Sequence, residues 1–304
     1  MDNNKIMIVG TGNVGASIAF SLLNQRSAVN EIILTDIIAK DAEGEAMDLN
    51  DALAVAPSYI KIKNGTYKDA KDCDIVVITA GAAQRPGETR MELLKKNVNI
   101  LKGMIEQIMD SGFDGIFVVV TNPMDVMTYY TWKFSGLPFE RVIGSGTVLD
   151  SARLRKRLAS YLDVNPKSVH AYQVGEHGDS EITLYSTAEM GGQKISTMLP
   201  KDVLKDISEY VRNEAYDIIE KKGATHYGIA TCVSQILNCI LNDEMRVLSV
   251  SSYDSFSDTC FGWPSVVGRK GVIRRLDIKI SEKEGVGLQK SINVLKDAIA
   301  QIKY

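Results

Sequence analysis

The sequence Ile6-Met7-Ile8-Val9-Gly10-Thr11-Gly12-Asn13-Val14-Gly15 passes from an unbroken apolar run into three glycines at GxGxxG spacing. An apolar run without polar alternation is what a parallel strand covered on both faces requires. The next residues, Ala16-Ser17-Ile18-Ala19-Phe20-Ser21-Leu22-Leu23, read as a helix. A GxGxxG alone is weak, but between a buried strand and a helix each glycine acquires a task. Gly10 would make the tight turn and Gly12 would admit a pyrophosphate to the backbone. Gly15 would let helix and strand pack closely. The anion would then sit at the positive end of the helix.

Outward from this unit, Glu31-Ile32-Ile33-Leu34-Thr35 forms a second strand that ends at Asp36, 21 residues after Gly15. A carboxylate there accepts hydrogen bonds from the adenosine ribose hydroxyls and repels a 2′-phosphate, which favours NAD over NADP. Taken alone, Asp36 would serve equally to cap a turn. Further strands are expected over 74–79, 115–120 and 141–144, with helices between them. This alternation argues for an α/β fold, a Rossmann-type doubly wound parallel sheet with ligands at the carboxyl ends of its strands.

The chemistry-bearing residues should therefore follow the strands. After Thr79 comes Ala80-Gly81-Ala82-Ala83-Gln84-Arg85-Pro86-Gly87-Glu88-Thr89-Arg90, a loop of small residues with a Pro-Gly turn. Thr89 and Glu92 have capping-box spacing, so a helix should start there and run to about Met109, with Arg90 in its first turn. Arg90 alone would be an ordinary exposed arginine. Thr121-Asn122-Pro123 marks a fixed turn of the kind that accommodates a cis bond and presents Asn122 to a cleft.

Thr147 and Asp150 repeat the capping-box spacing at the start of another helix. Asp150 and Arg153, three apart, share a face of it and would form a weak ion pair if exposed. In a site they would have separate targets. Asp150 can accept from one nitrogen of a histidine, and Arg153 can grip a carboxylate with its forked guanidinium. The histidine is offered by Gly175-Glu176-His177-Gly178-Asp179, one of three in the chain, set between glycines. Its ordinary pKa suits proton transfer near neutrality. A lone loop histidine is more often only hydrogen-bonded, and the partners are what raise its claim. Beyond it, short strands are expected near 169–174, 181–187, 246–251 and 272–280, and helices near 201–222, 226–242 and 282–302. This places a boundary near Gly144 between a dinucleotide-binding domain (1–144) and an α+β substrate domain (145–304).

Composition narrows the classes of function. The chain has 304 residues, 45% apolar and 24% charged, with a net charge of −3. That charge offers no reason to expect nucleic acid or an anionic membrane as partner. Cys73, Cys232, Cys239 and Cys260 are scattered without metal spacing, as for buried thiols in a reducing cytosol. Three dispersed histidines speak against a metal hydrolase, and no metal site is expected. Met1 runs almost directly into the first strand and no apolar stretch approaches transmembrane length, so a cytoplasmic location is expected.

The glycine fingerprint with Asp36, the lid 84–90, Thr121-Asn122-Pro123, Asp150-x-x-Arg153 and Gly175–Asp179 occur in this order. Together they resemble the L-lactate/malate dehydrogenase family, its bacterial L-lactate branch in particular, over essentially the whole chain. The resemblance implies an NAD-dependent 2-hydroxyacid dehydrogenase that interconverts pyruvate and lactate. His177 would be the general acid/base, Asp150 its orienting carboxylate, and Arg90 the lid residue that stabilises charge on the carbonyl oxygen. Arg153, Gln84, Asn122 and Thr225 would contact substrate. The cofactor positions implied are Gly10, Gly12, Asn13, Val14, Gly15, Asp36, Thr79, Ala80, Gly81, Asn97, Thr121, Asn122 and Ile229. Core packing explains Ile229 almost as well.

Within the family, a neutral Gln84 at the lid position would leave a second substrate carboxylate buried and unpaired, which favours a monocarboxylate. Arg85 would offer a cation if the lid were shifted by one residue. Malate and L-2-hydroxyisocaproate remain alternatives. A non-catalytic NAD-binding protein is another, although it would need neither the acid/base pair nor both arginines. Arg155 and His170 match a pair that the resemblance assigns to allosteric fructose 1,6-bisphosphate across a subunit interface, in a homotetramer or dimer. Arg155 could equally belong to a solvated basic run with Lys156 and Arg157.

Overall fold

The computed structural model of the chain describes residues 4–82 and 87–302. Its first half runs β1 (Lys5–Val9), α1 (Asn13–Leu23), β2 (Glu31–Thr35), α2 (Ala39–Ala52), β3 (Lys61–Asn64), β4 (Ile75–Ile78), α3 (Arg90–Asp110), β5 (Ile116–Val119), α4 (Met124–Ser135) and β6 (Val142–Gly144). The second half continues with α5 (Val148–Leu162), β7 (Val169–His170), β8 (Gln173–Val174), β9 (Ile182–Thr183), β10 (Glu189–Met190) and β11 (Gln193–Lys194). There follow α6 (Ile195–Met198), α7 (Lys201–Lys222), α8 (Tyr227–Leu241), β12 (Arg246–Asp254), β13 (Thr259–Gly268), β14 (Gly271–Arg275) and α9 (Glu282–Ala300). Among the described residues no helix is long and apolar enough to cross a membrane.

Six parallel strands stand in the order β3-β2-β1-β4-β5-β6, the doubly wound order with a switch point between β1 and β4. The sheet does not stop at residue 144. β12, β13 and β14 extend it in antiparallel fashion, joined through Ser251 opposite Gly144, to give nine strands. Two elements of this sheet escape sequence reading. β3 carries one inward apolar residue, Ile62, between lysines, as an edge strand does. Its Lys61 and Lys63 pair with Glu31 at 3.6 and 3.1 Å. β13 contains Gly262 and Pro264, which argue against a central strand, yet all ten residues are buried. The strands expected at 181–187 and 272–280 shrink to Ile182–Thr183 and Gly271–Arg275.

Alternate residues of β1 feed opposite cores. Ile6 and Ile8 pack with α1, α2 and α8, while Met7 and Val9 pack with α3, α4 and α9. A third cluster, with Leu154, Leu158, Ile207 and Val211, joins α5 to α7. The close approach expected at the fingerprint is present. Gly10 has φ +97°, and a Cβ there would lie 2.6 Å from the Ala80 nitrogen. A Cβ on Gly15 would overlap the Gly10 carbonyl oxygen, which is backbone and cannot swing aside. Gly15→Ala is therefore expected to lower stability by about 1–3 kcal/mol and to weaken NAD binding. Urea unfolding with and without the dinucleotide measures both effects.

Candidate active site

Gly12 carries open space where a Cβ would stand, and as N-cap of α1 it provides no side-chain cap. The first helical N–H groups thus receive no side-chain cap, and with the helix dipole they would suit an anion. Asp36 reaches the same loop, its Oδ2 accepting the Thr11 N–H at 2.7 Å and the Thr11 hydroxyl at 3.2 Å. Its Oδ1 also accepts the Ile38 N–H at 3.1 Å, so the turn-capping role is filled as well. These features fit a dinucleotide pyrophosphate and ribose. The adjacent residues tie strand tips together. Thr79 donates to the carbonyl of Gly10 at 2.7 Å, Thr121 to that of Ala80 at 2.8 Å, and buried Asn97 accepts the Ala82 N–H at 2.8 Å.

Beyond the tips lies a cavity of about 430 Å³ lined by Leu93, Leu94, Asn122, Pro123, Asp150, Arg153, Glu176, His177, Gly178, Asp179, Glu181, Arg212, Ala215 and Tyr216. The Asn122-Pro123 bond is cis. Asp150 uses its two oxygens separately. Oδ2 meets His177 Nδ1 at 2.7 Å, and Oδ1 accepts from Arg153 Nη1 at 3.1 Å. Asp150 and Arg153 thus also bond each other. They form a buried i,i+3 pair, with side chains 5% and 7% exposed. With Nδ1 engaged, Nε2 is the imidazole nitrogen left for a ligand. The capping box expected of Thr147 does not form, because its hydroxyl donates to the Gln173 carbonyl at 2.6 Å. That leaves the Asp150 carboxylate for His177. The box at Thr89 and Glu92 does form, with the Glu92 N–H donating to Thr89 Oγ1 at 3.2 Å.

Charge and burial act together on these groups. The Asp150 carboxylate raises the His177 pKa to about 9 against the opposing effect of burial. Burial pushes the Asp150 carboxyl up, but the His177 and Arg153 charges outweigh it and hold the pKa below the ordinary value. The two groups are an imidazolium–carboxylate pair at neutral pH. Two further carboxyls complete the surroundings, and no motif spacing had marked either. Burial lifts Asp125 to about 6 and Glu181 to about 8. A third, Glu214 of α7, approaches Arg153 Nε at 4.0 Å and pairs with Lys156. Their signal in the sequence is weak, since only the fold buries them.

Gln84 and Arg85 lie outside the described residues. So does the side chain of Arg90, whose backbone opens α3. Thr225 and Ile229 are half-buried and do not line the cavity. Ile229 packs on the α1–α8 core, and α7 supplies Arg212, Ala215 and Tyr216 to the wall instead. Arg155 and His170 come together in a separate open cavity of about 940 Å³, which Lys167 and Arg246 also line. The basic run is not one patch, because Lys156 turns to Glu214 and Arg157 stacks 4.2 Å from the Tyr210 ring centre. A cavity of about 830 Å³ at the amino ends of β4 and β5 has opposed charges, with Arg141 on Asp114 at 2.7 Å.

The chain is similar to known sequences and structures over its whole length. The profile for the lactate/malate dehydrogenase NAD binding domain matches residues 4–144, and that for the family's alpha/beta C-terminal domain matches residues 147–304. L-lactate dehydrogenase 2 of Bacillus anthracis is 49% identical, the match covering 98% of each chain. L-lactate dehydrogenase 1 of Peribacillus psychrosaccharolyticus is 48% identical over 98% of this chain and 96% of its own. The crystal structure of the minor L-lactate dehydrogenase from Enterococcus mundtii in its ligands-bound form superposes with a TM-score of 0.98. It is 42% identical and covers 100% of this chain and 99% of its own. The ligands-unbound form gives 0.92 at 40% identity, with the same coverage.

Proposed function

The chain belongs to the lactate/malate dehydrogenase family and its first half is an NAD-binding domain; within that family we propose that it is an L-lactate dehydrogenase with His177 as proton donor and acceptor. The observation that carries this reading is the pair of bonds from one buried carboxylate, Asp150, to a histidine and an arginine that both line one cavity. When bound, NADH supplies the hydride that reduces C2 of a 2-oxo acid. His177 supplies the proton to the carbonyl oxygen from Nε2, and Asp150 holds the ring in place and stabilises its charged form. Arg153 presents its remaining guanidinium N–H groups to the substrate carboxylate. Asn122, which lines the cavity, donates toward the reacting oxygen, and Arg90 is the second cation assigned to the charge that develops there. In lactate oxidation the same groups act in reverse, with neutral His177 accepting the hydroxyl proton.

Pyruvate is favoured over oxaloacetate by the wall itself. Asp150, Glu176 and Asp179 line the cavity as anions against Arg153, Arg212 and the charged His177, while burial keeps Glu181 protonated. With Arg153 on the first carboxylate and His177 on the carbonyl oxygen, a second carboxylate would have Arg212 alone against Glu176 and Asp179. Neutral Gln84 in the lid supports the same choice. Arg155 and His170, gathered with Lys167 and Arg246, suit an anionic effector such as fructose 1,6-bisphosphate. Exposed Phe20, Met47 and Tyr227, on α1, α2 and α8, suit self-association to a dimer or tetramer in the cytoplasm.

NADH oxidation with pyruvate, oxaloacetate and 2-oxoisocaproate, each with and without fructose 1,6-bisphosphate, tests all of this. Pyruvate is expected to have the highest kcat/KM, and the bisphosphate to lower its KM. A higher value with oxaloacetate would place a cation such as Arg85 against the substrate and end the lactate reading. No effect of bisphosphate would remove the allosteric part alone.

A further inference from the structure

His177 sits in a segment that glycines leave free to move, with Gly175 at φ +89° and Gly178 on its other side. Something must fix it, because a proton donor displaced by an ångström loses much of its effect. Part of the fixing is a backbone bridge from Gly175 to Gly262 and a bond from the Glu176 N–H to Ser291 Oγ at 2.8 Å. The residue that holds His177 itself is Asp125, in the first turn of α4, three residues beyond Asn122. Its Oδ2 accepts the His177 backbone N–H at 2.7 Å. Asp125 is 2% exposed. Its Oδ1 makes no well-formed hydrogen bond, and the Ser251 hydroxyl is the polar group that faces it.

A buried carboxylate with one strong bond is costly unless an opposite charge lies near it. Here the charge acts on the imidazole. His177 is faced by Asp150 and Arg153 from α5, by Asp125 from α4, by Glu176 and Glu181 of its own segment, and by Arg212 across the cavity from α7. Asp125 adds to the effect of Asp150 in favouring the charged ring. The N-terminal dipole of α4 in turn favours the ionised form of Asp125.

We propose that Asp125 is a positioning residue for the proton donor, its carboxylate pinning the His177 backbone and setting a second buried negative charge beside the ring. This rests on His177 as the acid/base group. It makes the turn after β5 serve both partners of the reaction, with Asn122 directed to the substrate and Asp125 directed to the histidine.

The test uses the full chain with 13C,15N-labelled histidine, whose three imidazoles are those of His170, His177 and His226. In Asp125→Asn the His177 titration midpoint is expected to fall by about one unit from that of the parent, while His170 and His226 do not move. The kcat for pyruvate is expected to fall about tenfold with KM for NADH unchanged. Asp125→Glu keeps the charge but misplaces the acceptor, so it should retain the parent midpoint and still lose kcat. An unchanged His177 midpoint in Asp125→Asn overturns the proposal, even if the melting temperature drops. Should Asp125→Asn fail to fold, parent-like kcat in Asp125→Glu overturns it. If the parent turns over no 2-oxo acid but the midpoint shifts, the lactate reading fails while the Asp125–His177 coupling stands.

Discussion

Asp150→Asn is expected to lower kcat for pyruvate reduction by about 10²–10⁴-fold while leaving the fold intact. The carboxylate accepts at both oxygens, from His177 Nδ1 at 2.7 Å and from Arg153 Nη1 at 3.1 Å. An amide has one acceptor and one donor end. If its oxygen turns to His177, its NH₂ confronts the guanidinium donors. If its NH₂ turns to His177, the ring must accept at Nδ1 and is held neutral. Either way the imidazolium loses its counter-charge, and the His177 pKa should fall from about 9 toward its ordinary 6.5. In the parent, pyruvate reduction should hold its rate up to about pH 8 and fall through about pH 9, while lactate oxidation rises. In the variant both limbs should move to lower pH.

The same pair sets a stability window. The folded pKa of His177 lies above its unfolded value, so its contribution is complete below about 6.5 and is lost as pH rises through about 9. Asp150 is shifted down, so its contribution is present above the ordinary carboxylate range and is lost as pH falls through its depressed value. The melting temperature of Asp150→Asn should therefore lie furthest below that of the parent between about pH 5 and 7. The gap should narrow toward pH 9 and above, to what the pairing of Asp150 with Arg153 contributes. A gap independent of pH would show that the pair is not ionised in the folded protein.

Arg153→Gln is expected to cost about 10²–10³-fold in kcat/KM for pyruvate, mostly through KM. The guanidinium side chain is 7% exposed, and a carboxylate bound to it is withdrawn from water, where forked charge-assisted bonds are strongest. Its removal leaves Asp150 and Glu214 without the cation that lies between them, at 3.1 and 4.0 Å. Stability should fall by about 3 kcal/mol, the scale of a broken buried pair. Arg153→Lys keeps a charge without the fork and should recover stability better than KM. Steady-state kinetics and urea unfolding on the two variants separate these effects. A folded Arg153→Gln protein whose KM rises less than threefold would show that the substrate carboxylate is held elsewhere.

Local rules were enough to read what depends on neighbours in sequence. The strand–glycine–helix unit at 6–23, Asp36 at a strand end, the capping box at Thr89 and the helix over 201–222 follow from side-chain periodicity and backbone sterics. The residue types at 150, 153 and 177 named the chemistry, because few groups donate protons near neutrality or grip a carboxylate. Tertiary structure decided what depends on distant partners. It buried β13 despite Gly262 and Pro264, and it joined the second half to the parallel sheet at Gly144. It turned the Thr147 hydroxyl away from its helix toward Gln173, and so left Asp150 to bridge His177 and Arg153. It also enclosed Asp125, Glu181 and Glu214 around them, carboxyls that by sequence are ordinary surface acids. Burial and charge proximity are properties of the packed chain, and they alone turn Asp125 and Glu181 into groups that act on the proton affinity of a histidine.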